Sequence, residues 1–196
     1  MAGDVQWVPG RSALVVIDLQ KGILALPAVP LAVAPVLRNA ARLAAACRGA
    51  GATVVLVRVT PSPDGADALL PVADQPPAVG AVRPAGWADL AEEIGPQSGD
   101  LVITKRQWGA FYGTELDLQL RRRRIDTLIL CGIATNIGVE STARDAYERG
   151  YRQIFARDAM TARSEEEHQM SITRIFPRIG QVRSTDEILA GLAASD

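Results

Sequence analysis

The stretch from Thr127 to Ala146, TLILCGIATNIGVESTARDA, changes its hydrophobic period midway, and that change limits the fold more than any other feature of the chain. Thr127 to Cys131 is a short apolar run of the right length for a strand buried on both faces. The run breaks at Gly132 and turns polar at Thr135 and Asn136. From Ile137 the period is helical: Val139, Ala143 and Ala146 share one face, with Glu140, Arg144 and Asp145 on others. The stretch therefore reads as strand, tight turn and helix. In α/β folds such a turn lies at the carboxyl end of the sheet, where ligands bind. A helix N-terminus there offers free N–H groups to an anion, and Asn136 or Thr135 is positioned to cap it.

The rest of the chain alternates in the same way. Ser12 to Ile17 is a second apolar run, followed by Asp18, Leu19 and Gln20. Read alone, Asp18 caps a turn. Gly22, Pro27 and Pro30 make a loop at the mouth of a pocket. Val33 to Ala50 carries Val36, Leu37, Ala40, Leu43 and Ala44 at helical spacing and ends at Gly49 and Gly51. Thr53 to Val59 is the next buried strand. Residues 60–86 contain six prolines and read as a long surface excursion, of the kind that forms lids or binding loops. Trp87 to Ile94 is read as a short helix, and Leu101 to Thr104 as a strand followed by Lys105, which on sequence alone is a solvated surface group. Trp108, Phe111 and Tyr112 are open to three readings: pocket wall, subunit interface or core.

Thr114 starts a helix with Leu116 and Leu120 on one face, and Arg121 to Arg124 suit the negative pole at its end. Arg152 to Ala156 is a fifth strand that exits through Asp158, Ala159 and Met160. Ser164 and Glu167 form a capping box that opens a helix carrying Met170, Ile172 and Ile175. His168 lies in this helix, exposed or packed against a neighbour. Gln181 to Arg183 is a sixth strand, and Ser184 and Glu187 cap a last helix with Ile188, Leu189 and Leu192.

This alternation predicts an α/β fold: a three-layer, Rossmann-like parallel sheet of about six strands with helices on both faces, in one domain over residues 1–196. Right-handed crossovers put every strand's carboxyl end on one side, so Asp18, Lys105 and the turn at 132–138 converge. A net charge of −1 points to neither a nucleic acid nor a membrane as partner. The N-terminus lacks the basic and apolar segments of a signal peptide, which points to the cytoplasm. Cys47 and Cys131 form no C-x-x-C pattern and read as buried small hydrophobes. His168 is the chain's only histidine, so a zinc site of the usual spacing is not expected, and no cofactor is expected either.

The segment GIATNIGVESTARDA, from Gly132 to Ala146, resembles the signature of the isochorismatase-like hydrolases, a superfamily that includes nicotinamidases and N-carbamoyl amidohydrolases. Lys105 to Thr114, KRQWGAFYGT, and Ile175 to Ile179, IFPRI, are similar to an uncharacterised group within it. The likeness runs over roughly residues 11–190. It implies that Asp18, in the motif Asp18-Leu19-Gln20, is a catalytic acid or base and that Lys105 is its catalytic partner. It also implies that Gln20, Trp108, Ile133, Ala134, Thr135 and Asn136 line the binding site, with a cis peptide at Ile133–Ala134.

In the cysteine-using members the nucleophile sits where this chain has Gly138, so the resemblance implies a site without a thiol. Gly138 cannot act as a nucleophile, and Cys131 lies seven residues earlier, inside the strand. Isochorismatases use the same site differently: the aspartate protonates a vinyl ether, water adds and pyruvate leaves. Two features depart from them. Their turn carries an aromatic residue where this chain has Ala134 and a His or similar group near Asn136, and their substrate-binding Gln and Arg find no counterparts in Arg58 to Pro63. The expectation is a hydrolase of a small molecule that uses Asp18 and Lys105 without a covalent cysteine intermediate. The alternative is a non-catalytic ligand-binding protein derived from a cysteine hydrolase. The family commonly assembles, which implies a homodimer or larger homo-oligomer, with Trp108 to Tyr112 as a candidate interface.

Overall fold

The computed structural model describes residues 7–75 and 83–193. Its centre is one six-stranded sheet. The strands are β1 (Ser12–Ile17), β2 (Thr53–Val59), β3 (Leu101–Lys105), β4 (Thr127–Ile133), β5 (Arg152–Thr161) and β6 (Gln181–Arg183). Their order is β3-β2-β1-β4-β5-β6, and every pairing is parallel. β1 and β4 lie at the centre and are buried along their whole length. That explains their unbroken apolar sequences, since a central parallel strand has a helix layer against each face.

Successive side chains of β1 enter opposite layers. Leu14 and Val16 join a core with Val36, Leu43 and Cys47 of α2 (Val33–Gly49) and Ile188 of α7 (Thr185–Ala193). Ala13, Val15 and Ile17 join a second core with Leu116 and Leu120 of α3 (Leu116–Arg122), Ala143 and Ala146 of α4 (Glu140–Glu148), and Phe176 of α6 (Phe176–Ile179). Each fully buried leucine contributes about 1.5–3 kcal/mol through burial. The short helices α1 (Lys21–Leu24) and α5 (Glu165–Met170) flank the carboxyl end of the sheet.

The structure departs from the sequence reading at four elements. Trp87 to Ile94 is a run of turns with a single 3-10 turn at Glu92–Ile94, not a helix. Its carbonyls are engaged elsewhere: Lys21 N donates to Asp89 O and Gly22 N to Trp87 O. β4 continues through Gly132 to Ile133. Gly132 has φ 122, and a Cβ there would lie 2.1 Å from the carbonyl oxygen of Ile17, so only glycine lets the strand run on. β5 continues to Thr161 because a register shift absorbs the chain beyond Phe155, after which Gly132 pairs with Met160 and Ile133 with Thr161. Helix α3 begins at Leu116 rather than Thr114, whose hydroxyl accepts from Leu116 N at 3.1 Å.

Part of the proline-rich excursion, residues 76–82, lies outside the described residues. Residues 60–75 contain no helix or strand and are largely exposed. Among the described residues, no helix is long and apolar enough to cross a membrane.

Candidate functional site

Asp18 follows the last residue of β1, and its backbone turns sharply, with φ 53. That conformation is uncommon for a residue other than glycine, though aspartate tolerates it better than most. Asp18 is 4% exposed and Lys105, the last residue of β3, is 2% exposed. The expectation that Lys105 is a solvated group, drawn from sequence alone, is overturned by its depth. Lys105 Nζ donates to Asp18 Oδ2 at 2.7 Å, to Trp108 O at 2.7 Å and to Gln107 O at 3.2 Å. Three acceptors meet the three N–H groups of an ammonium, which is how a charge is tolerated at this depth. Asp18 Oδ1 is buried and has no partner. Burial pushes the Asp18 carboxyl up to about 6, against the opposing pull of the Lys105 charge and its hydrogen bond.

Gly138 stands against this pair. A Cβ built on it would lie 2.9 Å from Ile17 Cγ2, 3.1 Å from Asp18 Oδ2 and 3.5 Å from Lys105 Nζ. The peptide Ile133–Ala134 is cis, as the resemblance implied. The chain then winds through a π turn, Thr135–Val139, into α4. Neither Thr135 nor Asn136 caps it, contrary to expectation; the N-cap position is Ala134, without a side-chain bond. Thr135 instead meets His168, with Oγ1 2.8 Å from Nδ1. Asn136 Nδ2 donates to Glu167 Oε2 at 3.1 Å, which leaves Asn136 Oδ1 buried and unpartnered.

The remaining expected binding residues are divided. Gln20 bonds to the backbone at both ends of its amide: Oε1 accepts from Val59 N at 2.8 Å, and Nε2 donates to Val59 O at 3.0 Å. Its side chain thus holds the end of β2. Trp108 touches Lys105 through its carbonyl, while the residue is 63% exposed. Phe111 is core, and Tyr112 is exposed. Ile133 is buried, and Ala134 packs against the core beside it.

Thr142 and His168 make contacts that the sequence did not reveal, although His168 is packed against a neighbour, one of its two expected places. Thr142 Oγ1 donates to Gly138 O at 2.7 Å and accepts from Ala110 N at 3.1 Å, so it ties the turn to the loop that wraps Lys105. Position 142, four residues after Gly138 and in the helix that follows its turn, was the only available signal. His168 carried none, because its partner is 33 residues away.

Both cysteines are free and buried in the core layer shared by α2 and Val16, whereas Ile17, which packs against Gly138, belongs to the other layer. Burial pushes the Cys47 thiol up to about 12 and raises that of Cys131 further. Among the described residues, no three His, Cys, Asp or Glu side chains gather as a metal site. The arrangement holds one carboxyl, raised to about 6, beside a fixed cation, and packs Gly138 so closely against the pair that a side chain there would press on Ile17 and Asp18.

Comparison with known proteins agrees with this fold. The isochorismatase domain model matches residues 12–187. An uncharacterized isochorismatase family protein of Bacillus subtilis, YwoC, is 53% identical over 180 residues, covering 91% of this chain and 93% of that protein. The ureidoacrylate amidohydrolase RutB of Serratia proteamaculans is 32% identical over 213 residues, covering 97% of this chain and 86% of that protein. A solved isochorismatase family protein from Burkholderia thailandensis superposes with a TM-score of 0.92 at 44% identity, covering 97% of this chain and all of that one. With the domain matched across nearly its whole length, this chain belongs to the isochorismatase family.

Proposed function

We propose that the protein hydrolyses a small molecule by acid–base chemistry between Asp18 and Lys105, without a covalent cysteine intermediate. The observation that carries this reading is the unpartnered, buried Asp18 Oδ1, on a carboxyl whose other oxygen is fixed by Lys105 beside the bare Gly138. A carboxyl raised to about 6 keeps a share of its proton near neutral pH, as a general acid must. With a vinyl ether, Asp18 gives that proton to the alkene carbon. Water adds to the resulting cation and returns a proton to Asp18. The hemiketal then collapses, breaking the carbon–oxygen bond and releasing a carbonyl compound and an alcohol. The high thiol pKa values of Cys47 and Cys131, and their place in the other core layer, support a mechanism that does not use them.

The likeness to RutB, a ureidoacrylate amidohydrolase, favours a second reading in which the substrate is an amide. Asp18 then works as a base on water. Two free buried thiols suit a reducing, cytoplasmic setting, and the exposed Trp108 and Tyr112 suit a homo-oligomer. The test is consumption of isochorismate, other vinyl ethers and small ureido and carbamoyl amides by the purified protein, with Asp18→Asn as control. Turnover by the wild type and its loss in a folded Asp18→Asn protein is the expected result. Equal turnover in the variant rejects the mechanism. Retention of a ligand with no turnover of any substrate makes the protein a binder instead.

A further inference from the structure

Two side-chain bonds fasten the turn that carries Gly138, and a third fastens the first residue of α4, to the neighbouring helical segment from Glu165 to Ile175. Thr135 Oγ1 and His168 Nδ1 lie 2.8 Å apart, Asn136 Nδ2 donates to Glu167 Oε2 at 3.1 Å, and Ser171 Oγ donates to Glu140 Oε2 at 2.6 Å. On each side the residues recur at the spacing of one helix face. The first bond differs from its neighbours in depth. Thr135 is 0% exposed and His168 is 4% exposed, so neither group can exchange its partner for bulk water without opening the packing. His168 is itself held in place: its N–H donates to Ser164 O at 3.1 Å, and the Ser164 hydroxyl caps α5 by accepting from Glu167 N.

Thr135 occupies a sensitive place. It follows Ala134 directly and stands three residues before Gly138. The turn between them is π-wound, with Val139 N donating to Ala134 O at 3.1 Å. Such turns are rare and are found mostly at functional sites. A Cβ built on Gly138 would lie 3.1 Å from Asp18 Oδ2 and 3.5 Å from Lys105 Nζ, so the turn packs directly against the pair and a small shift of it changes that contact.

We infer that His168 is a positioning residue: through its Nδ1 bond to Thr135 it fixes the turn from Thr135 to Gly138 against Asp18 and Lys105. The inference rests on reading Asp18 and Lys105 as the reacting pair. A misplacement of about 1 Å costs about a hundredfold in rate when geometry is catalytic.

The test compares Thr135→Val, His168→Ala, His168→Asn and His168→Gln. An asparagine amide puts a polar atom where Nδ1 stands, and a glutamine amide where Nε2 stands. His168→Ala, His168→Gln and Thr135→Val are expected to lower kcat by about ten- to a hundredfold with KM nearly unchanged. His168→Asn is expected to restore most of kcat. Thr135→Val combined with His168→Ala should lose no more than either change alone. Wild-type kcat in His168→Ala, equal loss in the Asn and Ala variants, or multiplicative losses in the double variant overturns the inference. Deuterium exchange of the 135–139 amides is read in the same proteins. It is expected to be about tenfold faster in His168→Ala and restored in His168→Asn; unchanged exchange also overturns the inference. The exchange arm needs no turnover, so a wild-type protein inactive on every substrate rejects the proposed reaction separately.

Discussion

Asp18 carries two opposed influences in one side chain. Removal from water disfavours its charge, and Lys105 at 2.7 Å favours it. Burial is the larger, and the carboxyl rises to about 6. The direction of the pH effect then separates the two chemistries. If Asp18 donates a proton, kcat/KM is flat at low pH and falls about tenfold per pH unit above about 6. If it accepts one, the profile rises up to about 6 and is flat beyond. We expect the falling limb with a vinyl ether substrate; a rising limb would sink the general-acid role. Stability follows from the same shift. Between the ordinary value of 3.8 and about 6, the folded state binds more proton than the unfolded state. Stability therefore falls as pH rises through that window and levels above it. Chemical denaturation from pH 3.5 to 7 should display this slope in the wild type, and Asp18→Asn should flatten it.

At the scale of elements, the unit from β4 through the π turn to α4 depends on two glycines for different reasons. Gly132 lets the strand pass Ile17, and Gly138 lets the turn approach Asp18 and Lys105 closely. Gly132→Ala puts a Cβ 2.1 Å from a backbone oxygen at φ 122, which no rotamer relieves. A loss of at least about 3 kcal/mol, or failure to fold, is expected. Gly138→Ala is milder. Alanine gains about 1 kcal/mol in helix propensity, and crowding against Ile17 Cγ2 at 2.9 Å costs about 1–3 kcal/mol. The protein should stay folded with a slightly lower Tm, yet lose at least about tenfold in kcat because the methyl pushes the turn away from Asp18 and Lys105. Wild-type kcat in a folded Gly138→Ala protein would deny that this close approach matters to the reaction. The same unit marks what could be read from sequence. β1, β2 and β4 were legible because burial on both faces leaves an unbroken apolar run, and parallel alternation alone brought Asp18 and Lys105 to one side. The Thr135–His168 bond was not legible, since periodicity reports which face is buried but not which distant helix lies against it. The turns at Trp87 to Ile94 were misread because their carbonyls serve Lys21 and Gly22, a tertiary demand that local pattern does not record.

Across the whole molecule, the strand order reverses between β1 and β4, and Asp18 and the turn that carries Gly138 follow the two strands at that switch. Lys105 comes from the edge strand β3, with β2 between it and β1. Adjacent strands lie about 4.8 Å apart, so only a long side chain crosses β2 to reach Asp18. The loop after β3 then has two tasks. Its carbonyls at Gln107 and Trp108 hold the ammonium, and two of its three aromatic residues are exposed, Trp108 at 63% and Tyr112 at 77%, while Phe111 is core. Each such ring offers about 150–250 Å² for burial, worth several kcal/mol at about 25 cal/mol per Å². A two-fold contact uses the same patch on both copies and so doubles that gain. Sedimentation equilibrium should then give a mass above the 20.9 kDa of one chain. Trp108→Ala should shift it toward the monomer and, by loosening the loop, raise the exchange rate of the amides around Lys105. Identical masses for wild type and variant would remove this loop from any interface and leave its rings as solvent-facing cover for the lysine.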